Sequence, residues 1–413
     1  MKIKLFFTSR LANVVKFLAL TSVILAGLSA CSSTSTVSLN QVGNGIGGTD
    51  LINFPTSKDF YSVPTDIQSD PLGYVLRLQL VSKTSSLTSL KIMYVSKNTF
   101  GKKAAVTGLI TYPNSAPPAS GWPVISWDHG TSGISQSCAP SRAPYSLPTF
   151  GVTGVIVATD YLGLGPDGEI HPYLNRATEA EATIDIVRAA LQIPDAHAGH
   201  TWLVVGDSQG GHAALATSQI APSYAPNLNL IGSVAIGPGA ELGNTYPGDN
   251  PFIYDIVATL AIFGAHVSDP SFNPNTYLVK AAQGVSKVVK DSCVNQITDY
   301  LLKVYLSDGK KILKVLPSQT PQGRAWLAQN DVIFQSSKNP ILVLGGGQDI
   351  VAVPARVTAT VKQLCKLKDT LYYDYLPTAN HNTEMTQGYS LISSWIKDRL
   401  ENKPAPDNCS SYG

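Results

Sequence analysis

The 413-residue chain is poor in charge: Asp, Glu, Lys and Arg together make up 14% of it, against 44% hydrophobic residues. Disorder needs the opposite balance, so the chain is expected to bury a sizeable core. Net charge is +2, with no basic stripe or block of one sign, which argues against nucleic acid as a partner. There is no CxxC pair and no His-rich spacing, so no metal site is expected among the five cysteines. No internal repeat is present, which removes solenoids and propellers. The longest apolar stretch at the N-terminus, Phe17 to Leu28, is too short to span a bilayer comfortably.

That stretch follows Lys2, Lys4, Arg10 and Lys16 and ends in small residues, the pattern of an export signal. Leu28-Ser29-Ala30-Cys31 resembles the lipobox of bacterial lipoproteins, in which the cysteine becomes the lipidated first residue. Residues 1–30 are therefore read as a lipoprotein signal peptide. Acyl chains on Cys31 would tether the protein without a transmembrane helix. Ser32 resembles the sorting pattern for an outer membrane, which implies a Gram-negative envelope. Residues 31–60 are rich in Ser, Thr, Gly and Asn without a hydrophobic period and read as a flexible tether. Cys138, Cys293, Cys365 and Cys409 remain. In an exported chain they imply two disulfides, with three possible connectivities.

From 61 to 413 the pattern is that of one α/β domain. Tyr74 to Val81, Leu90 to Val95 and Ala104 to Tyr112 alternate as strands, the last two joined as a hairpin through Gly101-Lys102-Lys103. Short continuous apolar runs follow at Pro123–Trp127, Gly154–Thr159, Trp202–Val205, Ile231–Ile236 and Ile341–Leu344. Leu371–Tyr375 adds a run nearer an edge, because it carries Asp374. Runs of this kind are strands buried on both faces. Ala177–Leu191 between them repeats at helical steps, so the sheet is expected to be mostly parallel and flanked by helices. From about 240 to 335 the rhythm gives way to helical segments, read as a cap over the carboxyl edge of the sheet.

Gly206-Asp207-Ser208-Gln209-Gly210 matches G-x-S-x-G. The motif is weak alone, but here an apolar strand enters it and a helix, Ala213 to Ile220, leaves it. That setting places a serine hydroxyl above the sheet as a nucleophile. A hydroxyl needs a base to take its proton. Of seven histidines, His381 follows the last strand and its Pro377-Thr378-Ala379-Asn380 loop, where an α/β-hydrolase carries its base. His212, one turn into the elbow helix, would point wrongly. Asp349, after the Ile341–Leu344 strand and a Gly-rich turn, is the leading candidate for the acid. Asp160 is the alternative, and Asp331 and Asp374 read as structural. The oxyanion donors are expected to be the N–H of Gln209 and that of Thr131, in the loop Trp127-Asp128-His129-Gly130-Thr131.

Taken with Ser126-Trp127-Asp128-His129-Gly130-Thr131, Cys138-Ala139-Pro140-Ser141, Ala158-Thr159-Asp160-Tyr161-Leu162-Gly163-Leu164-Gly165 and His171-Pro172-Tyr173, the elbow resembles the secretory lipase family of α/β-hydrolases. The resemblance implies a lipase or esterase with a helical cap and no cofactor, using Ser208, Asp349 and His381. It also implies that Cys138 pairs with Cys293 and Cys365 with Cys409, and that Asp160 is structural, holding the loop after its strand. Two departures stand out. Asp349 precedes Val353-Pro354 by one residue more than the family pattern, and Asp207 sits where relatives commonly carry His or Tyr. The expected reaction is serine-dependent hydrolysis of a carboxylic ester through an acyl-enzyme. Phe252, Ile253, Leu260, Ile262 and Phe263 are candidates for an acyl pocket or for plain cap core. A serine peptidase or amidase on the same fold is the alternative enzyme, because the triad does not separate amide from ester. A non-catalytic surface-binding lipoprotein would be favoured by a missing triad member, and none is missing.

Overall fold

The short apolar runs form strands because both faces of each find a hydrophobic layer. In β6 (Ala198–Asp207), Trp202 and Val204 join one core with the helix α1 (Arg176–Ala190), while Leu203 and Val205 join another on the opposite face. The same two-residue alternation divides Val155 and Val157 from Ile156 and Ala158 in β5 (Val155–Thr159). The structure, a computed structural model, describes residues 60–412. The predicted signal peptide, Cys31 and all of the tether but Phe60 lie outside them.

Nine strands form one sheet in the order β1-β2-β3-β5-β4-β6-β7-β8-β9. The remaining strands are β1 (Val75–Lys83), β2 (Leu87–Lys97), β3 (Lys103–Pro113), β4 (Trp122–Asp128), β7 (Asn229–Ile236), β8 (Ile341–Gly346) and β9 (Leu371–Leu376). β1, β2, β3 and β5 pair antiparallel in turn, and every neighbour from β5 through β9 is parallel. The chain therefore has the α/β-hydrolase architecture, with a mostly parallel sheet. α1, α2 (Gln209–Tyr224) and α7 (Pro354–Lys366) cover one face, and α8 (Glu384–Leu400) packs on the other through Ile392, Trp395 and Ile396.

β9 is an edge strand, as its Asp374 implied. Its unpaired backbone is partly covered by the C-terminal tail: Asn408 bonds both the N–H and the C=O of Tyr373, and Cys409 is joined to Cys365. Between β7 and β8 the chain leaves the sheet to build α3 (Pro251–Ser268), α4 (Val285–Asp291), α5 (Val294–Ser307) and α6 (Pro321–Asn330). α3 is long and apolar enough to cross a membrane, but more than half of it is buried within the protein. Phe252, Leu260, Ile262 and Phe263 are all buried, and Phe252 packs on Tyr305 of α5. Most of the expected acyl-pocket residues are thus cap core. Phe263 alone among them lines a cavity of about 480 Å³, with Ile134, Ile170, Val267 and Val289. The second disulfide, Cys138–Cys293, joins residues 155 apart and ties the cap to the loop after β4, where Val294 donates its N–H to Ser132. Both pairings are those the family resemblance implied.

Candidate active site

β6 ends at Asp207 and α2 begins at Gln209, so the chain must reverse at Ser208. Ser208 does so at φ 59°, ψ −112°, a region that costs a non-glycine residue about 1–3 kcal/mol and persists where its surroundings hold it. Three backbone bonds hold it: Ser208 N–H to Ile236, and its carbonyl to the N–H groups of His212 and Gly239. The flanking glycines are required by close approach. A Cβ on Gly206 would lie 1.9 Å from the Gly210 carbonyl oxygen, and one on Gly210 would lie 1.8 Å from that of Asp128. Side chains there would separate α2 from β6 and β4 and lower the serine.

Ser208 Oγ lies 2.9 Å from His381 Nε2, across 173 residues of sequence. His381 Nδ1 lies 2.7 Å from Asp349 Oδ2. Asp349 is buried, and its other oxygen accepts the N–H groups of Val351 and Ala352. This turn absorbs the extra residue before Val353-Pro354, so the departure from the family spacing leaves the carboxylate aimed at the imidazole. Burial opposes charge on Asp349, but its bonds to His381 hold it below the ordinary carboxylate value. Burial likewise disfavours the imidazolium, yet Asp349 and then Asp207 raise His381 above its ordinary value. Asp207 has one carboxyl oxygen buried without a partner; desolvation pushes it up to about 6, and His381 pulls the other way. Three ligand-type atoms of Asp349, His381 and Glu384 lie within 4.8 Å of one another. Both nitrogens of His381 face Ser208 and Asp349, so the ring has no nitrogen turned toward an ion.

The loop after β4 reaches Ser208. A Cβ on Gly130 would sit 3.6 Å from Ser208 Cβ. Among the described residues, neither the Thr131 nor the Gln209 N–H has a hydrogen-bond partner, which is the state an oxyanion hole requires before substrate binds. Both residues are anchored through their side chains. Thr131 Oγ1 bonds the Tyr173 hydroxyl at 2.7 Å. Gln209 Nε2 donates to Glu179 Oε1 at 2.8 Å and to His171 Nε2 at 2.7 Å. His171 donates from Nδ1 to the Leu162 carbonyl, and burial lowers its pKa to about 4, which keeps Nε2 a lone-pair acceptor. Glu179 also holds His212 at 2.6 Å, while His212 Nε2 reaches the Asn330 carbonyl. His212 is thus a buried partner of Glu179, turned away from Ser208. No sequence signal marked Glu179, a helix-face acid, as the residue that holds the Gln209 side chain.

The alternative acids are committed elsewhere. Asp160 accepts from Thr107 Oγ1 at 2.6 Å and from the N–H and Oγ of Ser141. It therefore ties β3 to the Cys138–Ser141 segment, and is structural in a different place from the loop after its own strand. Asp331 accepts the N–H groups of Glu241 and Leu242. His129 packs against Tyr161 at 4.6 Å, and burial lowers its pKa.

A family model described as secretory lipase matches residues 150–408. The chain belongs to the secretory lipase family. Lipase 6 of Candida albicans is 23% identical over 399 residues, covering 86% of this chain and 84% of that one. Among solved structures, Candida antarctica lipase A superposes with a TM-score of 0.69 at 19% identity, covering 86% of this chain and 88% of that one. A ligand-bound form of the rice cell wall degrading esterase LipA from Xanthomonas oryzae gives 0.65 at 21% identity, covering 81% and 100%. These likenesses show the fold; family membership makes this secretory lipase a lipase/esterase hydrolase, and the family's secretory character accords with export.

Proposed function

We propose that this secretory lipase hydrolyses carboxylic esters through an acyl-enzyme on Ser208, with His381 as base and Asp349 as the acid that orients it. The observation that carries the reading is the continuous relay Ser208–His381–Asp349, at 2.9 and 2.7 Å. His381 takes the Ser208 proton as Oγ attacks the ester carbonyl, and Asp349 stabilises the resulting imidazolium. The N–H groups of Gln209 and Thr131 receive the developing oxyanion. His381 then protonates the leaving alcohol, and water deprotonated by the same nitrogen releases the acid. The base works only when neutral, so turnover falls on the acid side as His381 protonates, at a pH set above that of a free imidazole by Asp349 and Asp207.

Initial rates on p-nitrophenyl esters of two to sixteen acyl carbons test this. Ser208→Ala is expected to reduce kcat on the order of 10⁴-fold or more at every length while the protein stays folded. Retained turnover in the folded variant would sink the serine mechanism. A maximum at long chains marks a lipase, and one at short chains an esterase.

We also propose that Cys31 carries a lipid that anchors the enzyme in an envelope membrane, an outer membrane if the cell has one, on the strength of Leu28-Ser29-Ala30-Cys31-Ser32. Cys31→Ser should move the protein from the detergent phase to the aqueous phase of a Triton X-114 partition. An unchanged partition would refute lipidation.

A further inference from the structure

Glu384 lies beneath the relay and takes no part in the reaction described above. It is the first residue of α8, three residues after His381, and is completely buried. Its Oε1 accepts the Gly346 N–H at 2.6 Å. Its Oε2 has no donor to accept from, and one oxygen of each carboxyl, Glu384 and Asp349, lies with a His381 nitrogen in a cluster whose members are within 4.8 Å of one another. A Cβ on Gly237 would fall 2.6 Å from Oε2 and 3.3 Å from His381 Nδ1, so the acid and the imidazole converge over a glycine that leaves them room.

Two buried carboxyls this close do not both ionise, so one holds a proton. The donors decide which. Asp349 accepts from His381, Val351 and Ala352, three N–H groups that favour its anion. Glu384 accepts only from Gly346. An unpartnered buried oxygen is costly, and Oε2 escapes that cost if it bears the proton and donates it.

We infer that Glu384 is a neutral carboxylic acid whose Oε2–H donates to the Asp349 carboxylate, making it a positioning residue for the Asp349–His381 pair. The inference rests on the triad reading above. The hydrogen bond fixes the carboxylate that orients the imidazole and keeps a second negative charge away from His381 Nδ1. The titratable groups facing Glu384 are Asp349, His381, Asp207 and Tyr373. Desolvation first, then Asp349, push Glu384 up to about 10; Tyr373 is raised to about 12, above that window.

The sign of the stability effect follows. A carboxyl whose pKa is raised on folding has its full stability below its ordinary value of 4.5 and loses it progressively as pH rises toward about 10. Gln keeps the shape, the amide N–H for Asp349 and the carbonyl for Gly346, and does not titrate. Leu keeps the bulk and neither bond.

The test compares wild type, Glu384→Gln, Glu384→Leu and Ser208→Ala by pH-stat hydrolysis of a short-chain ester and by thermal unfolding from pH 5 to 10. Glu384→Gln should keep kcat near wild type at pH 7.5 and unfold at a higher temperature than wild type, with a gap that widens with pH. It should also lack the alkaline loss of kcat expected of wild type near pH 10. Glu384→Leu should lose about tenfold to a hundredfold in kcat, with KM little changed. If Glu384→Gln falls as far as Glu384→Leu and its unfolding temperature does not rise with pH relative to wild type, Glu384 is an anion and the inference is overturned. If both variants match wild type in rate and profile while Ser208→Ala is inactive, the inference fails and the triad stands. Turnover in folded Ser208→Ala would remove the triad itself. Should Glu384→Leu not fold, the comparison of wild type with Glu384→Gln still decides.

Discussion

Asp349→Asn is expected to lower kcat by about four orders of magnitude, with KM and the unfolding temperature changed far less. The reason is the tautomer of His381. Asp349 spends Oδ1 on the N–H groups of Val351 and Ala352 and turns Oδ2 to His381 Nδ1. Asparagine can keep the first set only by accepting through its carbonyl, which leaves its NH₂ facing Nδ1. The imidazole must then accept at Nδ1 and carry its proton on Nε2, the nitrogen that should take the Ser208 proton. Asp160→Asn is the matched control. Asp160 is buried among Thr107 and Ser141, so its replacement should reduce stability and leave the acid limb of the rate profile in place. Steady-state kinetics of the two variants on one ester decide the assignment. A near-normal Asp349→Asn beside an inactive, folded Asp160→Asn would transfer the acid role to Asp160.

The Cys138→Ser/Cys293→Ser double variant should show the largest loss of stability. The bridge closes a sequence separation of 155 residues, and loop-closure entropy assigns such a crosslink about 5 kcal/mol, an upper figure because denatured chains are not random. Calorimetry should record a fall in the unfolding temperature on the order of 10 °C. Rate should fall as well. Cys293 bridges Gly133, and Val294 donates its N–H to Ser132, so the crosslink braces the loop that carries Thr131, proposed above as an oxyanion donor. The Cys365–Cys409 bridge spans 44 residues and pins the tail on the β9 edge. Its loss should cost stability, about 4 kcal/mol on the same reasoning, and leave kcat alone. A double variant at Cys138 and Cys293 with unchanged unfolding and rate would show that the cap holds the loop without it.

Much of the fold was legible because strand and helix signals are local. Apolar runs such as Trp202–Val205 become doubly buried strands, and Ala177–Leu191 becomes the helix beside them, since two- and 3.6-residue periods already say how many faces are covered. The elbow was legible for a partly similar reason: Gly206 answers a steric demand from Gly210, within the motif, whereas Gly210 answers the Asp128 carbonyl on the neighbouring strand β4. The acyl-pocket reading of the cap was not legible in sequence, because a buried phenylalanine such as Phe252 fills a helix interface or a substrate pocket with the same side chain.

What the sequence by itself determined was therefore the α/β rhythm, the serine at a strand–helix turn, the histidine after the last strand, and four cysteines for two bridges. The tertiary structure decided the rest. The order β3-β5-β4-β6 depends on crossovers that no local spacing encodes. It also decided which acid meets His381, which donors stay unpaired, and that Glu179 and Glu384 lie behind Gln209 and Asp349. Glu384 reads in sequence as an ordinary acid in the first turn of a helix. Its chemistry comes from desolvation and from a second carboxyl 35 residues away, and both exist only once the chain has closed around them.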